Sequence, residues 1–319
     1  MSNSPIYEIP DNIMRLIKQN IVPEILKKPL SSSTYKDFFA SLLYAEDYYI
    51  EKWSGFCLSN VTLELHDAKS YDKLTKVKSL RDDKPLVAFE IDSIPEKRPF
   101  LLSRDFVLVR PSGMNVEPFQ STSSGKLSPT GTLIRDMVFA ILDYSQKSRI
   151  LVCAPLNNTC DVLMRSLRLK IPGSDLFRAN AAFRELGDVP DDILSSSSYK
   201  GECFTCPSLE DLNNFKVIIS TFVSSFRLNN QGLSSGHFTH IIMVDASSAT
   251  EPVTMVTLAN FAGEETGILV TGTQRNFSGW VRSDIGRKYG LQKSYFQRLF
   301  EMEPYSNLHS NLIMHVAKN

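Results

Sequence analysis

Four short apolar runs recur through the second half of the chain, at Arg149–Ala154, Lys216–Ser220, His240–Asp245 and Gly267–Thr271. Each is too short for a buried helix and too uniformly apolar for a strand with one wet face, so each reads as a strand buried on both sides. Between and around them lie stretches with helical periodicity, at about 133–145, 158–169, 251–261, 278–289 and 292–301. Strand–helix alternation of this kind predicts an α/β fold, a four- or five-stranded parallel sheet between helices.

The first third has a different rhythm. Ile13–Ile17 forms a short amphipathic pattern, followed by Pro23 and Pro29. Ser31-Ser32-Ser33-Thr34 can cap a second helix from Tyr35 to about Trp53, which is apolar enough to pack in a core. Val61–Leu65, Leu86–Ile91 and Phe106–Val109 read as strands, and the charge-rich stretch Lys69–Lys84 reads as a solvated loop. Ser, Gly and Pro dominate between Pro111 and Pro129, which predicts a linker there. The expected organisation is an N-terminal helical and α+β region at 1–110, a linker at 111–128 and an α/β domain at 129–319.

Composition narrows the function classes. The chain has 319 residues, 42% of them hydrophobic, with 35 basic and 35 acidic side chains. Zero net charge argues against a strongly basic nucleic-acid binder while leaving room for a local patch. No apolar run approaches the ~18 residues of a membrane span. Met1–Asn12 is polar, carries Pro5 and Pro10, and lacks a signal-peptide core. Five cysteines, an odd number, fit a reducing cytosolic or nuclear compartment, and a cytoplasmic protein without membrane contact is expected.

The run from His240 to Pro252 carries the clearest chemistry. Four apolar residues end in Asp245, a carboxylate at the carboxyl edge of a parallel sheet, where ligands bind in open α/β folds. In phosphate-loop NTPases such an Asp helps hold magnesium, and a neighbouring Glu activates water; here Ala246 follows instead. Just before the first helix of the α/β half, Ser128-Pro129-Thr130-Gly131-Thr132 occupies the place of a phosphate loop. Thr130, Gly131 and Thr132 are its degenerate nucleotide-binding candidates. Leu133 and Ile134 stand where Lys and Thr are needed. Read without context, this is a loop and a helix cap. Gly125-Lys126 is a stray pair followed by Leu127. Cys203-Phe204-Thr205-Cys206 is a lone C-x-x-C; His237 and His240 could complete a set of four but flank a buried strand, so no metal site is expected.

Together these segments resemble superfamily 1 RNA helicases of the up-frameshift-like group, closest to the branch of the plant silencing-defective helicase and the animal Moloney leukaemia virus ten helicase. Ile25–Leu30, Phe38-Phe39 and Leu42–Asp47 are similar to the segment preceding the helicase core. Arg98–Asp105 resembles the entry to the family's β-barrel insertion, most of which is absent after Phe119. Leu151–Asp161 resembles motif Ia, Ile219–Leu228 the next RNA-contacting segment, and His237–Pro252 the Walker B strand.

The resemblance implies a single RecA-like, P-loop NTPase-type domain that touches single-stranded RNA through Pro155, Asn157, Asn158, Thr159, Thr221 and Arg227. The departures are equally specific: the Glu after Asp245 is missing, the sensor motif reads Gly272-Thr273-Gln274-Arg275-Asn276 without its Asp, and the chain ends near the end of the first RecA-like domain. Of the catalytic residues only Asp245 remains. The expectation is a catalytically inactive helicase relative that binds RNA weakly or serves as a scaffold in RNA silencing or antiviral defence, in cytoplasmic RNA granules and with silencing-pathway proteins as partners. The alternative is a residual ATP-dependent helicase, completed by a partner, for which alone ATP and magnesium would be cofactors.

Overall fold

The computed structural model describes residues 8–53, 64–66, 86–88, 127–273, 281–307, 312–314 and 316. The expected strand Phe106–Val109, the segment Arg98–Asp105, Gly125-Lys126 and Gln274–Asn276 lie outside the described residues. The chain divides into two compact units, one of Met1–Ile21 with Tyr44–Ser121 and one of Val22–Leu43 with Thr122–Asn319. Residues 22–43, read from sequence as part of the N-terminal region, thus pack with the α/β half.

In the first unit, α1 (Asp11–Lys18) starts after Pro10, with Asp11 in its first turn and Arg15 and Lys18 in its last. Those charges complement the helix dipole. Helix α2 (Tyr35–Trp53) contributes its second half. Strands β1 (Glu64–His66) and β2 (Leu86–Ala88) pair antiparallel with Leu65 opposite Val87.

The second unit begins with a turn in which Thr34 Oγ1 accepts the Ser31 N–H and donates to the Pro29 carbonyl, both at 2.9 Å. That turn launches α2 where the Ser/Thr run predicts it. Phe39 and Leu42 then join Leu26, Val281 and Leu291 in a small apolar core.

The rest of the unit follows in order: α3 (Pro129–Tyr144), β3 (Ile150–Ala154), α4 (Asn157–Leu167), β4 (Leu176–Ala179), α5 (Asp191–Leu194), β5 (Ser198–Lys200), β6 (Cys203–Thr205), α6 (Leu209–Leu212), β7 (Val217–Thr221), α7 (Phe226–Asn230), β8 (His240–Met243), α8 (Glu251–Phe261), β9 (Gly267–Val270), α9 (Asp284–Lys288) and α10 (Tyr295–Glu301). Five strands form one sheet in the order β4-β7-β3-β8-β9. All are parallel, with Val152 opposite both Ile219 and Ile242, and Met243 opposite Val270.

Side chains alternate between the two faces. Val152, Ile219 and Ile242 pack with Ile134 and Val138 of α3 and Leu163 and Leu167 of α4. Leu151, Ile218, Ile241 and Met243 pack on the other face with Leu228, Leu258 and Phe261. Every residue of β3 and β7 is buried, as two-sided coverage of a parallel sheet demands.

Three features differ from the sequence reading. Edge strand β4 was not anticipated, because Arg178 interrupts its apolar run. The β5–β6 hairpin was also missed. It closes through Gly201 and Glu202, both at positive φ (55° and 67°), a two-residue turn whose twist matches the flanking strands. Helix α9 is shorter than the expected 278–289: Ser283 caps it by accepting the Gly286 N–H at 3.0 Å, which fixes its start at Asp284.

Candidate nucleic-acid interface at the carboxyl edge of the sheet

Strands β7, β3 and β8 are neighbours, so the segments that follow them lie side by side at one edge of the sheet. After β8 the Val244 N–H donates to the Cys153 carbonyl at 2.7 Å. Asp245 then takes a left-handed conformation, φ 51° and ψ 44°. Asp tolerates that region better than most residues. Its N–H donates to Thr271 Oγ1 at 3.0 Å, and the Ala246 N–H donates to the Thr271 carbonyl at 2.7 Å. Ser247 Oγ donates to Asp245 Oδ1 at 3.1 Å and accepts the Thr273 N–H at 3.0 Å. Ala246 itself is fully buried in the core. The turn that would carry a water-activating carboxylate is therefore filled by a methyl group pointing into the core. The next carboxylate, Glu251, is 2% exposed and bound by Tyr35 Oη at 2.9 Å and by Arg298 Nε.

The candidate phosphate loop is a closed helix cap. Ser128 Oγ accepts the Gly131 N–H at 3.0 Å, and the Ser128 carbonyl accepts the Thr132 N–H at 2.9 Å. Pro129, at the first helical position, has no N–H. Thr130, Gly131 and Thr132 thus form the first turn of α3 rather than a cradle, and the capping reading of these residues accounts for them. Ile134 is fully buried in the sheet-facing core. Among the described residues, those at the nucleotide position do not fit magnesium-bound ATP: they supply no cation for the phosphates, no metal-binding hydroxyl after it, and no base beside Asp245.

The motif Ia-like segment opens α4. Leu156 stands at the N-cap position and supplies no side-chain hydrogen bond. Asn158 is exposed, and Pro155 and Thr159 are half-buried. The first turn of α4 thus faces solvent at the sheet edge, with its amides uncovered by a cap.

Asn157 is not free. Its Oδ1 accepts Arg178 Nη2 at 2.9 Å, part of a buried network that the sequence reading missed. Arg178 Nε donates to Asp161 Oδ1 at 3.0 Å, and Arg184 Nη2 to Asp161 Oδ2 at 2.6 Å. Both guanidiniums and the carboxylate are at least 94% buried. The signal was present in part: Asn157 and Asp161 are spaced i, i+4, which puts them on one helix face.

Thr221 and Arg227, expected from the resemblance as RNA contacts, are both engaged within the chain. Thr221 is buried; its hydroxyl donates to Ser224 Oγ at 2.9 Å and accepts the Ser224 N–H at 3.1 Å, closing the turn after β7. Arg227 spends its guanidinium on the backbone, donating to the Asn180 carbonyl and, at 2.7 Å, to the Phe204 carbonyl. Both hold the edge loops in place rather than offering donors outward.

Cys203 and Cys206 stand three residues apart on extended chain, so their side chains leave on opposite faces. Cys206 packs against the core, and burial pushes its thiol up, partly offset by Arg227. Burial likewise raises the thiols of Cys153 and Cys160. Among the described residues no group of three or more His, Cys, Asp or Glu could hold a metal ion. No helix among them is long and apolar enough to cross a membrane.

Comparison with known proteins gives a consistent picture. No family model matches the chain. A protein of Danio rerio named as a helicase, mov-10-B.1, is 34% identical over 155 residues, 48% of this chain and 15% of its own length. The RNA helicase Mov10l1 of Homo sapiens is 28% identical over 189 residues, covering 59% of this chain and 15% of that one. The protein armi of Drosophila melanogaster, also named as an RNA helicase, is 26% identical over 206 residues, 59% of this chain and 17% of its own. Among solved structures, the Hef helicase domain of Pyrococcus furiosus is 14% identical, covering 46% of this chain and 26% of that one, with a TM-score of 0.29, too low to add to the strand order. The chain spans about 15% of the length of these curated relatives. Its likeness is to RNA helicases of the kind its motifs resemble.

Proposed function

We propose that this relative of the MOV-10 and Mov10l1 helicases binds single-stranded RNA weakly at the carboxyl edge of its sheet and does not hydrolyse ATP. The observation that carries the second half is the passage of Asp245 directly into buried Ala246. Hydrolysis needs metal ligation, phosphate anchoring and water activation together. Here the carboxylate of Asp245 is engaged by Ser247, the cap at Ser128 occupies the anchoring turn, and no base follows.

RNA contact rests on the uncapped first turn of α4. Backbone N–H groups at a helix start donate to phosphate oxygens, and such contacts grip the sugar-phosphate chain without reading sequence. Asn158 and Thr159 flank that turn with further donors, while Asn157 holds it to Arg178. A role in RNA silencing or antiviral defence, in the cytoplasm and with silencing-pathway proteins, completes the reading; it draws on the silencing-defective branch that the motifs resemble and on unpaired thiols that suit a reducing compartment.

Fluorescence anisotropy of a labelled single-stranded RNA against the whole chain tests the binding. Asn158→Ala with Thr159→Ala should weaken it several-fold without loss of folding. Unchanged affinity in that variant would remove these side chains from the RNA contact.

A further inference from the structure

Beside the α4 turn, the same sheet edge exposes large aromatic side chains that packing does not explain. Phe183, on the segment after β4, is 93% exposed; Phe226, which opens α7 after β7, is 42% exposed; Tyr199, in β5, is 38% exposed. The three belong to segments bound directly to one another. The Phe204 N–H donates to the Ala182 carbonyl at 2.9 Å. Arg227, next to Phe226, donates to the carbonyls of both Asn180 and Phe204. Tyr199 meets Phe204 edge-on at 4.9 Å between ring centroids. The turn that carries Phe183 is braced further: the Arg184 N–H donates to the Ala181 carbonyl at 3.2 Å, and its guanidinium is locked on Asp161 and Asn180.

We propose that Phe183 and Phe226 form a stacking platform for the bases of single-stranded RNA. The inference deepens the RNA reading above and rests on it: the strand gripped through its phosphates at α4 would continue across β3 and β7 towards the segment after β4. A phenyl ring left almost fully in water is costly to keep there, and the hydrogen bonds that brace its turn spare the backbone ordering that stacking on a loose loop would require. The chemistry favours bases over a phosphate site. Exposed Glu185 and Asp188 lie on the same segment and offset the guanidiniums buried beneath it, so attraction for the backbone is small there and ring-to-base contact supplies the hold. Such stacking tolerates every base, because each has a π-face.

The test uses the whole chain and two probes, a labelled oligoadenylate of about 12 nucleotides and an abasic strand of the same length. Wild type should bind the oligoadenylate more tightly than the abasic strand. Phe183→Ala should lose about tenfold on oligoadenylate and nothing on the abasic strand, Phe226→Ala should act likewise, and Phe183→Tyr should bind as wild type. Phe183 contributes almost no buried surface, so its replacement leaves folding intact. Equal binding of both probes by wild type, or an unaltered affinity in Phe183→Ala, overturns the platform. If Asn158→Ala with Thr159→Ala still weakens both probes in that case, the backbone reading survives alone. Failure of wild type to bind either probe overturns both; a protein segment covering these rings would then be the remaining use of the surface.

Discussion

Tyr35 Oη donates to Glu251 Oε1 at 2.9 Å, a hydrogen bond between residues 216 positions apart in the chain. It ties the first turn of α2 to the first turn of α8, immediately after the Walker B-like strand. Arg298 of α10 closes the cluster on the other carboxylate oxygen, with its guanidinium 5.9 Å from the Phe39 ring centroid. Burial, then the charge of Glu251, hold the Tyr35 hydroxyl well above its usual range. Glu251, within the run that resembles the Walker B segment, therefore works as a structural anchor.

Glu251→Ala should accordingly destabilise the second unit. Breaking a fully enclosed ion pair costs about 3–5 kcal/mol. Arg298 keeps 26% of its side chain exposed, so about 2–3 kcal/mol is expected here. Tyr35→Phe removes one hydrogen bond and should cost about 1 kcal/mol. Urea unfolding of the two variants measures both; a Glu251→Ala protein as stable as wild type would deny the anchor.

The Asp161 network makes a sharper contrast. Asp161→Ala strands two buried guanidiniums and should cost about 3–5 kcal/mol or prevent folding. Asp192 also pairs with an arginine, Arg165, at 2.7 Å, but both side chains are exposed. Asp192→Ala should change stability by less than about 1 kcal/mol. Similar losses in the two variants would contradict the burial argument.

Stability should fall in mild acid. Burial pushes His240 below the usual imidazole range; burial and then the charge of Arg149 do the same to His237. The unfolded chain takes up these protons near pH ~6.5, and the folded chain resists until lower pH. The contribution is thus complete above about pH 6.5 and is lost as pH falls through that value towards the folded pKa values. Tm measured from pH 7.5 to 5 should decline, and the decline should flatten in His237→Gln with His240→Gln. An equal slope in that double variant would place the sensitivity elsewhere.

The sheet was legible because parallel strands buried on both faces leave unbroken apolar runs, as at Ile150–Ala154 and Val217–Thr221. Strand β4 was illegible for the opposite reason: Arg178 is fully buried only because Asp161 and Asn157, distant in sequence, receive its donors. The missing Glu beside Asp245 could be read directly from residue order. The internal roles of Thr221 and Arg227 could not, since a hydroxyl closing its own turn and a guanidinium holding two carbonyls look, in sequence, like donors available to a ligand. The hairpin at Gly201-Glu202 escaped because only Gly announces positive φ; Glu202 gives no such sign.

The central claim, an RNA-binding helicase relative without hydrolysis, is tested most directly by phosphate release from magnesium-bound ATP in the presence of saturating single-stranded RNA. The account predicts a rate at background, identical in wild type and Asp245→Ala. Turnover above background that RNA stimulates and Asp245→Ala abolishes would contradict it.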